Sequence, residues 1–221
     1  MGTGAAADMD DMDDSMIRFC SFEPYEDLSQ WGTLNTTTTE IDLISDLTTY
    51  LTQTSCYAGQ RSLETTLPAG EYLYWGSPQQ GNGNGADQLV LSFFYAWNSS
   101  TIGTPPSLNI QLGTETSSAG SYTVIGSDPY ETITPPSTTP FEWNYCQVLI
   151  PLSTLASSIT PPYKLWIGFG ISEDSNGTML IDALSLTPLG ASGSFHVRRL
   201  WVSGHDVPGA QYTQARPNFH D

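Results

Sequence analysis

Basic residues are scarce in this chain, which has six lysines and arginines against 23 acidic residues and a net charge of −17 over 221 residues. Such a charge repels the phosphate backbone and argues against nucleic-acid binding. Long apolar runs are also missing, because no segment approaches the roughly 20 residues that a membrane helix needs. We therefore expect neither a nucleic-acid partner nor membrane insertion.

Cysteine is rare too. Cys20, Cys56 and Cys146 form an odd set without paired spacing, so the sequence predicts neither a disulfide framework nor a cysteine metal site. The first residues lack the basic and apolar segments of a classical secretion signal, and we expect synthesis in the cytoplasm. Nucleophile-elbow, phosphate-loop and zinc motifs are absent, and no two carboxylates are paired as glycosidases require. The sequence therefore predicts a protein that is not an enzyme.

Short β-branched and aromatic runs, bounded by Gly, Pro, Asn and Ser, fill most of the chain and predict an all-β sandwich. Predicted strands lie at about residues 16–23, 61–67, 71–75, 88–97, 107–112, 121–125, 143–152, 163–171, 179–187 and 195–202. Residues 40–52 alone have helix-like spacing, and their threonine content leaves a short helix and an irregular segment equally open. We expect the opening strand to pair with the strand near residue 180, which would frame the fold.

Alternation within three predicted strands separates an apolar side from a polar and aromatic side. The apolar side faces the core. The residues of the other side, which we expect one sheet to present away from the core, are Asn109, Gln111, Trp143, Tyr145, Gln147, Lys164 and Trp166.

The order of motifs over residues 17–188 resembles the jelly-roll family of carbohydrate-binding modules. The residues that carry the resemblance are Ser21-Phe22-Glu23, Trp31, the run 59–64, the run 89–97, Glu142-Trp143 and the run 180–186. The resemblance implies an antiparallel jelly-roll β-sandwich. It also implies that the outward aromatic and amide side chains are a glycan platform, because pyranose rings have apolar faces and polar rims. A surface covered by another part of the chain or by a neighbouring subunit is the alternative.

Modules of this family often hold a structural calcium ion where the first and last strands meet, which points here to Glu23 and Asp182. Carbonyls near Gln60 and Arg61 would complete an oxygen-rich shell. Ala183 stands where the family frequently has a second acidic residue. The alternative needs no ion: Glu23 pairs with an arginine, and Asp182 accepts backbone hydrogen bonds.

Two terminal extensions of opposite character flank the predicted sandwich, at residues 1–16 and 189–221. The first is an acidic arm, and the second carries half of the basic residues of the chain together with aromatic side chains. Opposite charges and buried aromatics are suited to docking on a neighbouring subunit. The arm residues predicted to mediate assembly are Asp10, Asp11, Asp13, Asp14, Arg198, Arg199, Trp201, Tyr212, Arg216 and Phe219.

An acidic β-sandwich with two such arms and no catalytic set is typical of virion components that resemble sugar-binding jelly rolls. The first functional hypothesis is therefore a bacteriophage or virus structural protein, a capsid decoration or cement protein. It would be made in the host cytoplasm, form a homo-oligomer and bind capsid or other virion proteins through its arms. The second hypothesis is a carbohydrate-binding module for host-surface or polysaccharide recognition. The third is a glycan-active enzyme whose site the sequence does not disclose. Fold alone does not decide between them.

Overall fold

The first and last strands of the sandwich pair with each other, as the sequence predicts. In the computed structural model, Arg18–Cys20 (β1) lies antiparallel to Thr178–Gly190 (β13), with Cys20 opposite Leu184. The model describes residues 18–26, 28–80, 86–99, 104–116, 121–151, 163–172 and 177–190. Within these ranges there is no helix long and apolar enough to cross a membrane.

The remaining strands are two to 13 residues long and are joined by turns rich in Gly, Pro, Asn and Ser, which favour reversals of the chain. In chain order they are Trp31–Leu34 (β2), Ile41–Leu43 (β3), Leu51–Thr52 (β4), Ser62–Thr65 (β5), Tyr72–Gln80 (β6), Ala86–Asn98 (β7), Leu108–Thr116 (β8), Tyr122–Val124 (β9), Glu131–Ile133 (β10), Asn144–Pro151 (β11) and Tyr163–Ile171 (β12). A 3₁₀ turn, Leu47–Tyr50, precedes β4.

Two antiparallel sheets share these strands. Sheet A has the order β11-β7-β13-β5-β4, with β1 also on β13, and sheet B has the order β10-β8-β12-β6-β2-β3, with β9 also on β8. Inward side chains of both sheets form one large core, which includes Trp31, Phe93 and Phe169. Burying a side chain of this size stabilises the fold by about 1.5–3 kcal/mol. The arrangement confirms the predicted all-β, antiparallel jelly-roll sandwich.

The segment with helix-like spacing contains no α-helix. Residues 40–52 form β3, the 3₁₀ turn and β4 instead. Threonines lower the helix propensity, and the Asp46 carboxylate accepts the backbone N–H of Thr48 at 2.9 Å, which caps a tight turn and not a longer helix. The predicted strand at residues 195–202 lies outside the described residues.

Candidate functional site

The seven residues expected on one surface lie on two different sheets, so the single platform is not formed. Tyr145 and Gln147 belong to β11, at the edge of sheet A, and Trp143 directly precedes that strand. The other four belong to strands β8 and β12 of sheet B: Asn109, Gln111, Lys164 and Trp166. Alternation placed Asn109 and Gln111 correctly on the side opposite to the main core, but it cannot tell one sheet from the other.

Three of the four sheet B members, Asn109, Gln111 and Trp166, are also buried. Trp166 is 1% exposed and belongs to a second apolar cluster with Ile41, Tyr72, Tyr74 and Tyr122. Its indole N–H donates to the Glu115 carboxylate at 3.0 Å. The side chain of Lys164 lies outside the described residues.

Gln111 is the centre of a buried hydrogen-bond network on that face. Its Oε1 accepts the hydroxyls of Tyr74 at 2.5 Å and Tyr122 at 2.8 Å, and its Nε2 donates to Asp128 at 2.8 Å. Burial raises the pKa of both tyrosines. Gly113 makes room for this arrangement, because a Cβ there would lie 2.2 Å from the ring of Tyr122. The network fills the face and leaves it closed to a stacked sugar ring.

Sheet A, by contrast, presents a group of aromatic residues on its outer face, which we call the aromatic strip: Tyr57, Phe94, Trp143 and Tyr145. Tyr57 stacks on Phe94 with ring centroids 3.4 Å apart and meets Trp143 edge-on at 6.2 Å. Phe94 lies opposite Tyr145 in the β7–β11 register, with ring centroids 5.2 Å apart. Tyr57 is 48% exposed and Tyr145 is 55% exposed.

Polar side chains continue from the strip along the same face. Gln147 is exposed and lies opposite Ser92, whose hydroxyl is 2.7 Å from that of Ser185. Leu149, two residues after Gln147 on β11, is 53% exposed. The face thus combines aromatic rings with amide and hydroxyl groups at their margin.

Sequence reasoning missed two members of the strip. Phe94 alternates with the core residues Phe93 and Tyr95, so its outward direction could have been found from the pattern of β7. Tyr57 lies in the loop between β4 and β5, where no periodicity gives a direction.

Glu23 and Asp182 do come together at the junction of the first and last strands, and both are buried. Asp182 Oδ2 accepts the backbone N–H groups of Tyr57 at 2.9 Å and Ala58 at 3.0 Å, and its Oδ1 accepts that of Ala183 at 2.6 Å. These bonds confirm the predicted hydrogen-bonding role of Asp182. Glu23 Oε1 accepts the backbone N–H of Gln60 at 2.7 Å, whereas the alternative without an ion predicted an arginine partner, Arg18 or Arg61.

Burial raises the pKa of Asp182 to about 6, and the negative charge of Glu23 adds to the rise against the lowering effect of the backbone donors. Two neighbouring carboxylates suit a hard cation, yet calcium takes roughly six to eight oxygen ligands. No group of three or more ligating side chains converges within the described residues, so backbone carbonyls would have to supply most of a shell. Calcium binding at Glu23 and Asp182 stays a prediction.

All three cysteines are free thiols. Burial raises the pKa of Cys20 to about 12 and that of Cys146 to about 11, and it also raises the pKa of Cys56. A thiol is a nucleophile only as the thiolate, and the raised pKa of each cysteine disfavours that form.

The ten residues predicted to mediate assembly, from Asp10 to Phe219, lie outside the described residues. Their role in binding capsid proteins or a second copy of the chain stays a prediction, as does a location in the virion.

No protein-family model matches the sequence, and no curated protein matches it. Among solved structures, the chain is similar to the xylan-binding domain CBM22-1 of Xyn10C from Paenibacillus barcinonensis, at 14% identity over 79% of this chain and 94% of that one, with a TM-score of 0.48. A further xylan-binding domain of family CBM22 shares 16% identity over 83% and 99%, with a TM-score of 0.46. The xylan-binding module CBM15 shares 10% identity over 78% and 97%, with a TM-score of 0.44.

Proposed function

We propose that the protein binds a neutral glycan without cleaving it, and that the aromatic strip of sheet A is the binding surface. The observation that carries the proposal is the exposure of Tyr57 and Tyr145, at 48% and 55%, on either side of Phe94. A pyranose ring has an apolar C–H face that packs on an aromatic ring, and such a surface is costly to leave in water.

The margin of the strip supports recognition of a sugar and not of an apolar ligand alone. The Gln147 amide offers two donors and an acceptor next to Tyr145, and the hydroxyls of Ser92 and Ser185 follow in the same row. Sugar hydroxyls at the rim of a stacked ring need such groups once water is displaced.

Charge favours a neutral glycan over one that carries carboxylates or sulfates. The chain has a net charge of −17, and Glu142 is exposed directly before Trp143 of the strip. Asp182 lies beneath Tyr57 on the same side of the sheet. Since these groups repel anions, a polyanionic sugar would bind more weakly than a neutral one of the same length.

The two buried carboxylates near the strip are poorly placed for hydrolysis. Asp182 is 0% exposed and Glu23 is 6% exposed, and both are engaged by backbone N–H groups of the loop that carries Tyr57. A glycosidase needs two carboxyl groups on either side of the bond that breaks. Binding without cleavage is therefore the activity that this surface supports.

The exposure of Tyr57 and Tyr145 on sheet A is the observation that favours the glycan-binding hypothesis over the virion hypothesis. The virion hypothesis depends on the terminal extensions and stays a prediction.

The test is affinity electrophoresis of the full chain in gels that contain xylan, glucomannan or hydroxyethyl cellulose, with polygalacturonate as the anionic comparison. We expect retardation by at least one neutral polymer. Tyr57→Ala and Tyr145→Ala should weaken it roughly tenfold, the effect of losing about 1.4 kcal/mol of binding free energy. Tyr145→Phe should bind almost as well as the original chain, since it keeps the ring.

Leu43→Ala is the matched control, because Leu43 is 58% exposed but lies on β3 of sheet B. Equal losses in Leu43→Ala and Tyr145→Ala, or no retardation by any neutral polymer, would contradict the proposal. Self-association that Tyr145→Ala abolishes would instead identify the strip as a protein interface.

A further inference from the structure

Tyr57, which overlies the other aromatics of the strip, is not held in place by a strand. It lies in the β4–β5 loop, residues 53–61, between Leu51–Thr52 and Ser62–Thr65. An exposed loop ordinarily moves more than the strands it joins. A binding surface that includes Tyr57 therefore needs a device that fixes this loop on sheet A.

Hydrogen bonds between the backbone of the loop and a side chain on the outer face of β13 fix the loop in this way. Asp182 is the partner of Phe94 in the β13–β7 register, so its side chain emerges next to the Phe94 ring. Its Oδ2 accepts the N–H groups of Tyr57 and Ala58. One carboxylate thus fixes the backbone of Tyr57 directly beside the ring on which Tyr57 stacks.

A second carboxylate holds the far end of the same loop. Glu23 Oε1 accepts the N–H of Gln60 at 2.7 Å. The chain passes so close to this carboxylate that a Cβ on Gly59 would lie 1.9 Å from Glu23 Oε1, and Gly59 has a φ of +70°. Glycine is the residue that both the contact and the backbone conformation require.

The near end of the loop is fixed by a member of the strip itself. Trp143 donates its indole N–H to the Ser55 hydroxyl at 3.1 Å, and the Ser62 hydroxyl donates to the Ser55 carbonyl at 2.7 Å. The loop is consequently attached at three positions, Ser55, Tyr57–Ala58 and Gln60. Tyr57 belongs to the middle one.

We propose that Asp182 and Glu23 are positioning residues for glycan binding: they hold the β4–β5 loop so that Tyr57 is preorganised over Phe94. The consequence for affinity rests on the proposed function. Preorganisation raises affinity because a loop that is already ordered loses less entropy when the ligand binds. Charged acceptors suit the task, since their hydrogen bonds are stronger than those of neutral acceptors.

The substitutions Asp182→Asn, Glu23→Ala and Glu23→Gln test the proposal in the full chain. Asp182→Asn keeps one acceptor oxygen where the carboxylate accepts the N–H groups of Tyr57, Ala58 and Ala183, so its amide NH2 must face at least one of them. Glu23→Ala removes the acceptor for Gln60, whereas Glu23→Gln keeps an acceptor. Glu64→Gln is the control, because Glu64 accepts bonds from Asn98 and Thr178 on sheet A and none from the loop.

Two measurements are needed on each folded variant: amide hydrogen exchange by NMR, and affinity for the neutral polysaccharide that the original chain binds most tightly. In Asp182→Asn we expect faster exchange at the N–H groups that the amide NH2 faces, either Tyr57 and Ala58 or Ala183, and in Glu23→Ala we expect it at Gln60. Affinity should fall by roughly tenfold in both, and Glu23→Gln should restore it. In a Tyr57→Ala background the same substitutions should cost no further affinity, because the residue that they position is absent.

Unchanged exchange at these amides, or an equal loss of affinity with and without Tyr57, would overturn the proposal. If Asp182→Asn does not fold, the pair Glu23→Ala and Glu23→Gln decides alone. If the original chain binds no neutral polysaccharide, the proposed function fails, while exchange and the Tyr57–Phe94 ring contact still test whether the carboxylates hold the loop.

Discussion

Gly59 lies against Glu23 so closely that any side chain at this position would meet the carboxylate, with a Cβ only 1.9 Å from its Oε1. The contact exists because the β4–β5 loop crosses the outer face of sheet A at the point where Gln60 donates its N–H to the same oxygen. The hold on Tyr57 therefore depends on a glycine two residues further along the chain.

Replacing Gly59 by alanine should destabilise the protein by more than the usual cost of a positive φ. The left-handed conformation costs alanine about 1–2 kcal/mol, and here the new side chain also displaces the Glu23 carboxylate. Urea unfolding measures the difference. Gly70→Ala is the matched control, since Gly70 has a φ of +83° and open space around it. Equal costs for the two variants would show that the contact with Glu23 contributes nothing.

Stability should fall as the pH rises from about 4 to about 6 through the ionisation of Asp182. The pKa of this buried carboxyl is raised from 3.8 to about 6, so the folded state binds its proton more tightly than the unfolded chain in that window. One such group contributes a slope of about 1.4 kcal/mol per pH unit. The measurement is the free energy of unfolding of the original chain minus that of Asp182→Asn, between pH 4 and pH 7. A difference that does not change with pH would contradict the prediction.

Gln111→Leu should lower the free energy of unfolding by about 2–4 kcal/mol, because it leaves the buried hydroxyls of Tyr74 and Tyr122 without their shared acceptor. Tyr122→Phe should lower the free energy of unfolding by less, since Gln111 still accepts the hydrogen bond from the hydroxyl of Tyr74. In the Gln111→Leu background, Tyr122→Phe should be neutral or stabilising. Chemical denaturation of the four proteins measures this coupling, and additive costs would exclude a cooperative network.

Calcium bound by Glu23 and Asp182 should raise the melting temperature, because a ligand of the folded state alone stabilises it by mass action. Differential scanning calorimetry in a chelator and in excess calcium tests this expectation. Glu23→Gln should abolish any shift, since it removes one of the two charges. The same melting temperature in both conditions would leave these carboxylates with their hydrogen bonds to the β4–β5 loop as their only role.

The alternation in β11 and β8 was predictable, and so was the pairing of the first and last strands. Outward directions for Tyr145, Gln147, Asn109 and Gln111 follow from a period of two residues, whatever the partners of the strand are. The pattern gave no sheet assignment, however, so residues of two opposite faces were combined into one platform.

Exposure of an outward residue was decided only by the tertiary structure. Gln111 and Tyr145 both point away from the core, but Tyr74 and Tyr122 cover the first, while the second remains 55% exposed. The two covering tyrosines lie on strands other than that of Gln111, and they are 37 and 11 residues away from it in the sequence.

The sequence by itself determined the class of fold, because short β-branched runs between turn residues allow little else, and it predicted the pairing of the first and last strands. The meeting of Glu23 with Asp182 was implied by the family resemblance. Only the tertiary structure placed Tyr57 over Phe94. A loop residue has no periodicity to direct it, and its position here is fixed by backbone hydrogen bonds to Asp182, which lies 125 residues away in the chain.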